Sequence, residues 1–146
     1  MTEALNSFHY AFQVRLHDVD AARILFYGHL FRHAHDAYEA LMASIGLGLP
    51  SMLEAGHWRL PLVHAAADYL HPISHGDHLE VAVSIESLTV RSYTVGYRFW
   101  RPADTACCAK ARTVHVYLPA GAAHALPLPA ELVRALTPFL EQPNNP

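Results

Sequence analysis

"VRLHDVDAARILFYGHLFRHAHDAYE", residues 14–39, decides the reading of this chain. An apolar, strand-like run leads to two aspartates, Asp18 and Asp20. Two alanines and Arg23 follow, and then an apolar aromatic run. From about Phe26 to Ile45 the pattern is helical. Polar residues fall at His29, Arg32, His33, Asp36 and Glu39, one stripe at a spacing near 3.6. Leu30, Phe31, Ala34, Ala37, Tyr38, Leu41 and Ile45 fill more than half the circumference, so the helix is expected to be largely buried. "GLGLPS" at 46–51 ends it, with Gly46 as the C-terminal cap and Pro50 beyond.

Working outward, residues 8–17 (FHYAFQVRLH) read as a first strand, rich in aromatic and β-branched types. Residues 60–71 read as a second, with Pro61 near its start, and "HPISHGDH" as a turn. Residues 79–90 alternate, with Leu79, Val81, Val83 and Ile85 on one face. Residues 92–101 alternate again, with Tyr93, Val95, Tyr97 and Phe99 together, and 105–118 form a last strand. "PLPAELVRALTPFL" closes as a short helix with proline near its start. The fold class is α+β: about five antiparallel strands curled around one long helix, with a short C-terminal helix. One domain over 1–146 accommodates this. A single such sheet leaves an edge and a wet face, which a second copy would cover.

Bulk properties narrow the function. The chain has 146 residues, 52% hydrophobic and 16% charged, which suits a packed globule. Net charge is −3 and no run of Lys or Arg occurs, so no nucleic-acid partner is expected. No apolar stretch approaches the ~20 residues that span a bilayer. "MTEALNSF" lacks a basic segment followed by an apolar block, so no secretory signal is expected. Cys107 and Cys108 are adjacent and poorly placed to pair, which fits a reducing cytoplasm.

No G-x-S-x-G, phosphate-cradling loop, dinucleotide fingerprint or C-x-x-C is present. His29 and His33 share a helix face, with Asp36 as a candidate third ligand, but two histidines are weak grounds for a metal, and a solvated, histidine-rich face is the better explanation. No metal is expected. His71, His75 and His78 read as turn residues. His64 lies on a strand, as a satisfied residue or as part of a pocket lining. Asp18 suits an ordinary role at a turn or cap. Asp20 is the better candidate for chemistry. It precedes a helix whose first N–H groups, around Tyr27 and Gly28, have no intrahelical acceptor and sit at the positive end of the dipole. A carboxylate facing such donors makes the two halves of an acyl-transfer site.

Three segments together carry a family resemblance: "VRLHDVDAARILFYGHLFRHAHDAYEALM", "LPLVHAAADYLHPISHGDHLEV", and "CCAKARTVHVYL" with the later "PLP". They resemble the hotdog-fold acyl-CoA thioesterases of the 4-hydroxybenzoyl-CoA thioesterase type, over about residues 10–132. Within that group, "AHDAYE" and "LPLVHA" are most similar to the 1,4-dihydroxy-2-naphthoyl-CoA hydrolases. The resemblance implies a hotdog fold, and a homodimer assembling to a homotetramer with sites between subunits. It implies Asp20 as nucleophile or general base and the Tyr27 N–H as oxyanion donor. Arg91 and Ser92 match positions that contact the nucleotide end of coenzyme A. Phe26 and His64 are candidate lining residues of the acyl pocket. No cofactor is implied, since coenzyme A is part of the substrate.

Arg23 departs from the family pattern, which has glycine there. A glycine takes φ > 0 freely, and an arginine in that conformation costs about 1–2 kcal/mol. The loop therefore either changes shape or strains. The guanidinium then holds Asp20 ionised, meets an anionic acyl group, or blocks the pocket. Other readings are an acyl-carrier-protein or broad fatty-acyl thioesterase, a non-catalytic acyl-CoA-binding hotdog, and a hydratase using His64.

Overall fold

The computed structural model describes residues 6–48 and 58–142. Pro50 and Ser51, expected beyond the helix stop, lie outside the described residues. Among the described residues there are five strands: β1 Phe8–Gln13, β2 Leu62–Tyr69, β3 His78–Leu88, β4 Ser92–Arg101 and β5 Ala106–Val116. They form one antiparallel sheet in the order β1-β3-β4-β5-β2. The long helix α1 is His29–Ser44, and the short α2 is Ala130–Leu136. This is the expected α+β architecture.

Alternation dictates which face of the sheet is buried. Leu79, Val81, Val83 and Ile85 of β3 are inside, as are Tyr93, Val95, Tyr97 and Phe99 of β4. They meet Leu30, Ala34, Ala37, Tyr38, Leu41 and Met42 of α1. A polar network threads this core. The Tyr38 and Tyr93 hydroxyls share a hydrogen bond at 2.6 Å. The His115 ring stacks on both tyrosines, with centroids 4.8 and 5.1 Å apart, and its nitrogens reach Thr113 Oγ1 and the Leu60 carbonyl. Burial pushes the Tyr38 hydroxyl up to about 12, against the Tyr93 hydrogen bond.

Two boundaries and the setting of one histidine differ from the sequence reading. The first strand ends at Gln13 instead of residue 17, because Leu16–Asp18 winds into one turn of 3-10 helix, closed by the Arg15 N–H on Asp18 Oδ2 at 2.8 Å. Helix α1 begins at His29, not Phe26: Phe26 spends its N–H on the Asp18 carbonyl at 3.0 Å. His33 is not on a solvated stripe. It is buried, stacked on Phe12 of β1 with centroids 3.9 Å apart. The expected stop is present: Gly46 takes φ 80°, and the Leu47 N–H returns to the Met42 carbonyl at 2.8 Å.

Strand β2 stands at one edge, paired among the described residues with β5 alone. It is exposed along almost its whole length, Leu62, Val63 and Tyr69 included.

Candidate active site

The loop carrying Asp20 is built by short-range bonding. Asp20 N–H donates to the Ile24 carbonyl at 3.0 Å, and Arg23 N–H to the Asp20 carbonyl at 2.9 Å. Val19 bridges Leu25 antiparallel, and Phe26 N–H reaches the Asp18 carbonyl. Residues 18–20 and 24–26 are thus a miniature ladder. Asp20 heads it, and Tyr27 follows its last rung. A second turn steadies the first. Ile24 bridges Ser74, Leu25 N–H donates to Ile73, and His75 N–H donates to the Arg23 carbonyl at 3.1 Å. That second turn is the expected Gly-Asp turn, with Gly76 at φ 90°. Its Asp77 carboxylate accepts Ser74 N–H at 2.8 Å and Arg101 Nη1 at 3.1 Å.

Asp20 is exposed. Its Oδ1 accepts the Ala22 N–H at 2.8 Å and a weaker Ile24 N–H at 3.5 Å. Its Oδ2 has no partner among the described residues. One oxygen therefore anchors the carboxylate and the other stays open to a reacting group.

Arg23 has φ 63°. The loop keeps the shape that glycine favours, and arginine is made to adopt it. The expectation that Arg23 holds Asp20 ionised finds no ion pair: among the described residues no carboxylate lies within 4.0 Å of its guanidinium, which stands exposed.

Helix α1 starts without a side-chain cap, since Gly28 is its N-cap. Among the described residues the Tyr27 and Gly28 N–H groups have no acceptor. A capping side chain there contributes roughly 1 kcal/mol in an ordinary helix, and this one does without it. Tyr27 and Phe26 are exposed and lie against each other, with centroids 4.6 Å apart. The Tyr27 carbonyl accepts the Tyr69 hydroxyl at 2.5 Å, tying the end of β2 to the helix start.

Asp18 proves more than a turn residue. It is wholly buried, and its carboxylate accepts the Arg15 N–H, the Arg32 guanidinium and His33 Nε2 at 3.1 Å. Burial by itself would raise its pKa, but the Arg15, His33 and Arg32 interactions outweigh it and hold the carboxyl below its ordinary value. The sequence signal that points to this role is the i, i+1 pair Arg32–His33, two donors fourteen and fifteen residues on; without the fold their target is invisible.

Other expected site residues lie apart from Asp20 within one chain. His64 is on the face of the sheet away from α1. There it lines an open groove of about 520 Å³ with Asp68, Glu86, Arg98, Lys110 and Arg112. It is not in a pocket beside Asp20 within one chain, because His64, Ala66 and Asp68 of β2 share the outward face. Arg91 and Ser92 form the β3–β4 turn, where the Ser92 N–H and hydroxyl both engage Thr89 Oγ1. The Asp20 loop leans on residues 73–75, before the other end of β3. Eleven residues of strand separate them, roughly 35 Å. His29 and His33 do not face a common ion: His29 Nδ1 points to the Asp18 carbonyl at 3.1 Å and His33 Nε2 to its carboxylate.

Comparison with known proteins agrees with this architecture. Residues 14–136 match the family model of the thioesterase-like superfamily. The chain is 35% identical over 126 residues to a 1,4-dihydroxy-2-naphthoyl-CoA hydrolase of Synechococcus elongatus, covering 84% of this chain and 91% of the relative. It is 30% identical over 125 residues to a hydrolase of the same name from Synechocystis, covering 86% and 91%. The crystal structure of a Synechocystis 1,4-dihydroxy-2-naphthoyl-CoA thioesterase superposes with a TM-score of 0.83, over 90% of this chain and 96% of the other. A thioesterase-superfamily structure from Jannaschia, 23% identical, shares the fold with a TM-score of 0.85, over 97% and 99%. The family model spans most of the chain and these relatives share its sequence and its curled sheet, so the chain belongs to the thioesterase-like superfamily, as a thioester hydrolase of the hotdog fold.

Proposed function

We propose that this chain hydrolyses an aryl-coenzyme A thioester to the free acid and coenzyme A, with Asp20 as nucleophile or general base. The observation that carries the reading is the half-free Asp20 carboxylate, one oxygen pinned by its own turn, on a ladder that runs straight into an uncapped helix. The thioester carbonyl is held by the Tyr27 and Gly28 N–H groups. Negative charge growing on its oxygen is stabilised by those donors and by the dipole of α1. Either Asp20 Oδ2 attacks the carbonyl carbon, giving a mixed anhydride that water then opens, or it takes a proton from an attacking water. In both routes the carbon–sulfur bond breaks and coenzyme A leaves as thiolate. The chemistry as written uses no metal and no cofactor.

An aromatic acyl group is favoured by the exposed rings of Phe26 and Tyr27 beside those donors, and by the names of the relatives. Arg23, exposed and without a carboxylate partner nearby, is assigned to an anionic substituent on that group. His64, across the sheet, does not reach this site within one chain. Arg91 and Ser92 are assigned to the nucleotide end of coenzyme A. The roughly 35 Å between them and the Asp20 loop means that a second copy brings them to the site. The exposed edge of β2 supports the same homodimer, assembling to a homotetramer. A cytoplasmic setting accords with the two free cysteines.

The test is thiol release from benzoyl-, hydroxybenzoyl-, hydroxynaphthoyl- and fatty-acyl-CoA, and from acyl-carrier-protein thioesters, with the mass in solution measured alongside. Fastest turnover of a hydroxyaryl-CoA by a dimer or tetramer is expected. Preference for a carrier-protein or long fatty-acyl thioester contradicts the substrate class, and an active monomer contradicts the shared site.

A further inference from the structure

We propose that Asp18 is a positioning residue for hydrolysis, a buried clasp that sets the Asp20 loop against the first turn of α1. The proposal rests on the thioesterase reading above and adds a component to it.

The geometry is that of a hub. The Asp18 carboxylate collects donors from two segments: the Arg15 N–H before it, and the Arg32 guanidinium and His33 Nε2 from α1. Its carbonyl collects two more, the Phe26 N–H at 3.0 Å and His29 Nδ1 at 3.1 Å. A carbonyl only accepts, so His29 Nδ1 carries the proton here. His33 Nε2 lies 3.1 Å from the carboxylate and 3.4 Å from Arg32 Nη2. An aspartate that merely closes a turn needs one local N–H. Asp18 has five donors, and three of them come from the first two turns of the helix whose start holds the free N–H groups.

The two halves of the proposed site hang from this residue. Asp20 is two positions further on, fixed by its own turn and the Val19–Leu25 bridge. Tyr27 is one position past Phe26, whose N–H is bonded to Asp18. Displacing Asp18 from the helix therefore changes the separation of the carboxylate from the oxyanion donors. Misplacing reacting groups by about 1 Å costs on the order of 10²-fold in rate. Asp18 is fully buried and His33 nearly so, closed over by Phe12, while the Arg32 side chain stays 46% exposed at the outer side of the clasp.

Asp18→Asn tests this, since the amide keeps the shape and removes the charge that Arg32 and His33 address. Expected is a fall in kcat of roughly 10- to 100-fold with KM within about threefold, as for misaligned reacting groups. The Tyr27 and Gly28 amide resonances should move in ¹⁵N spectra. A folded Asp18→Asn with kcat within about twofold of wild type, a loss confined to KM, or unmoved amides overturns the proposal. If Asp18→Asn does not fold, His33→Gln, which keeps a neutral donor, is compared with His33→Leu. Greater retention of kcat by the glutamine variant supports the clasp, and equal values overturn it. Should the wild type release no thiol from any substrate, the thioesterase reading fails by itself, and the amide shifts in Asp18→Asn still decide whether the clasp exists.

Discussion

Three residues of the opening stretch carry the account, and they differ in how visible they are from sequence. Asp20 is legible because its environment is local: a turn, a short ladder and a helix start, all within eight residues. Arg23 is half legible. The strain it accepts, φ 63°, is foreseeable from its place in the loop, whereas the absence of an ion pair with Asp20 is a matter of side-chain reach. Asp18 is illegible, because its partners Arg32 and His33 are brought to it only when α1 packs on β1. Arg23→Gly is expected to stabilise the fold by about 0.5–1 kcal/mol. Relief of left-handed strain, about 1–2 kcal/mol, outweighs the freedom glycine adds to the unfolded chain. The midpoint of urea unfolding checks this, and a lower midpoint for the glycine variant contradicts it. The same variant should lose preference for acyl groups bearing an anionic substituent, as read from the ratio of kcat/KM values.

Elements were legible wherever a period was clean. Strands β3 and β4 bury the faces that their alternation marks, and α1 buries the Leu30–Ala34–Ala37–Leu41 side. Misreadings fall where a tertiary bond outcompetes a local preference. "VRLH" has strand composition, yet the Asp18 carboxylate takes the Arg15 N–H and winds the segment into a 3-10 turn. His33 fits the polar stripe by spacing, but Phe12 covers it and the Asp18 carboxylate lies 3.1 Å from its Nε2. His64 shows a limit of a different kind. Alternation along β2 is broken by a register shift between Leu62 and His64, and no pattern in β2 alone says which face meets the helix, since the strand is exposed on both sides. Gly96 on β4 is a smaller case of long-range fit. A Cβ there would stand 2.8 Å from Cγ and Oε1 of Glu86, whose carboxylate lies against Arg112.

At the scale of the whole molecule, the buried histidines make stability depend on pH. Burial lowers the pKa of His33, against the pull of Asp18, and burial lowers that of His115 in its tyrosine sandwich, against the Leu60 carbonyl. Both rings therefore stay neutral in the fold at pH values where the unfolded chain, with histidine near 6.5, takes up protons. The unfolded state binds more protons, so stability falls as pH drops below about 6.5. Asp18 acts in the same direction at lower pH. Its carboxyl is held below the ordinary value, so its contribution, present above about 3.9, is lost as pH falls through the lowered value. Urea midpoints should decline steadily from pH 7 to pH 5, less steeply in a His33→Gln, His115→Gln double variant. A flat profile for the wild type contradicts this electrostatic picture.

The central claim is that Asp20 carries the reaction. The most direct measurement is single-turnover thiol release from the best aryl-CoA substrate by wild type and by Asp20→Asn, which keeps the turn-forming oxygen and removes the charge. The rate for the variant should be at least ~10³-fold lower, with substrate still bound, as expected when the group that attacks or deprotonates is lost. Equal rates would mean that the chemistry resides elsewhere in the fold.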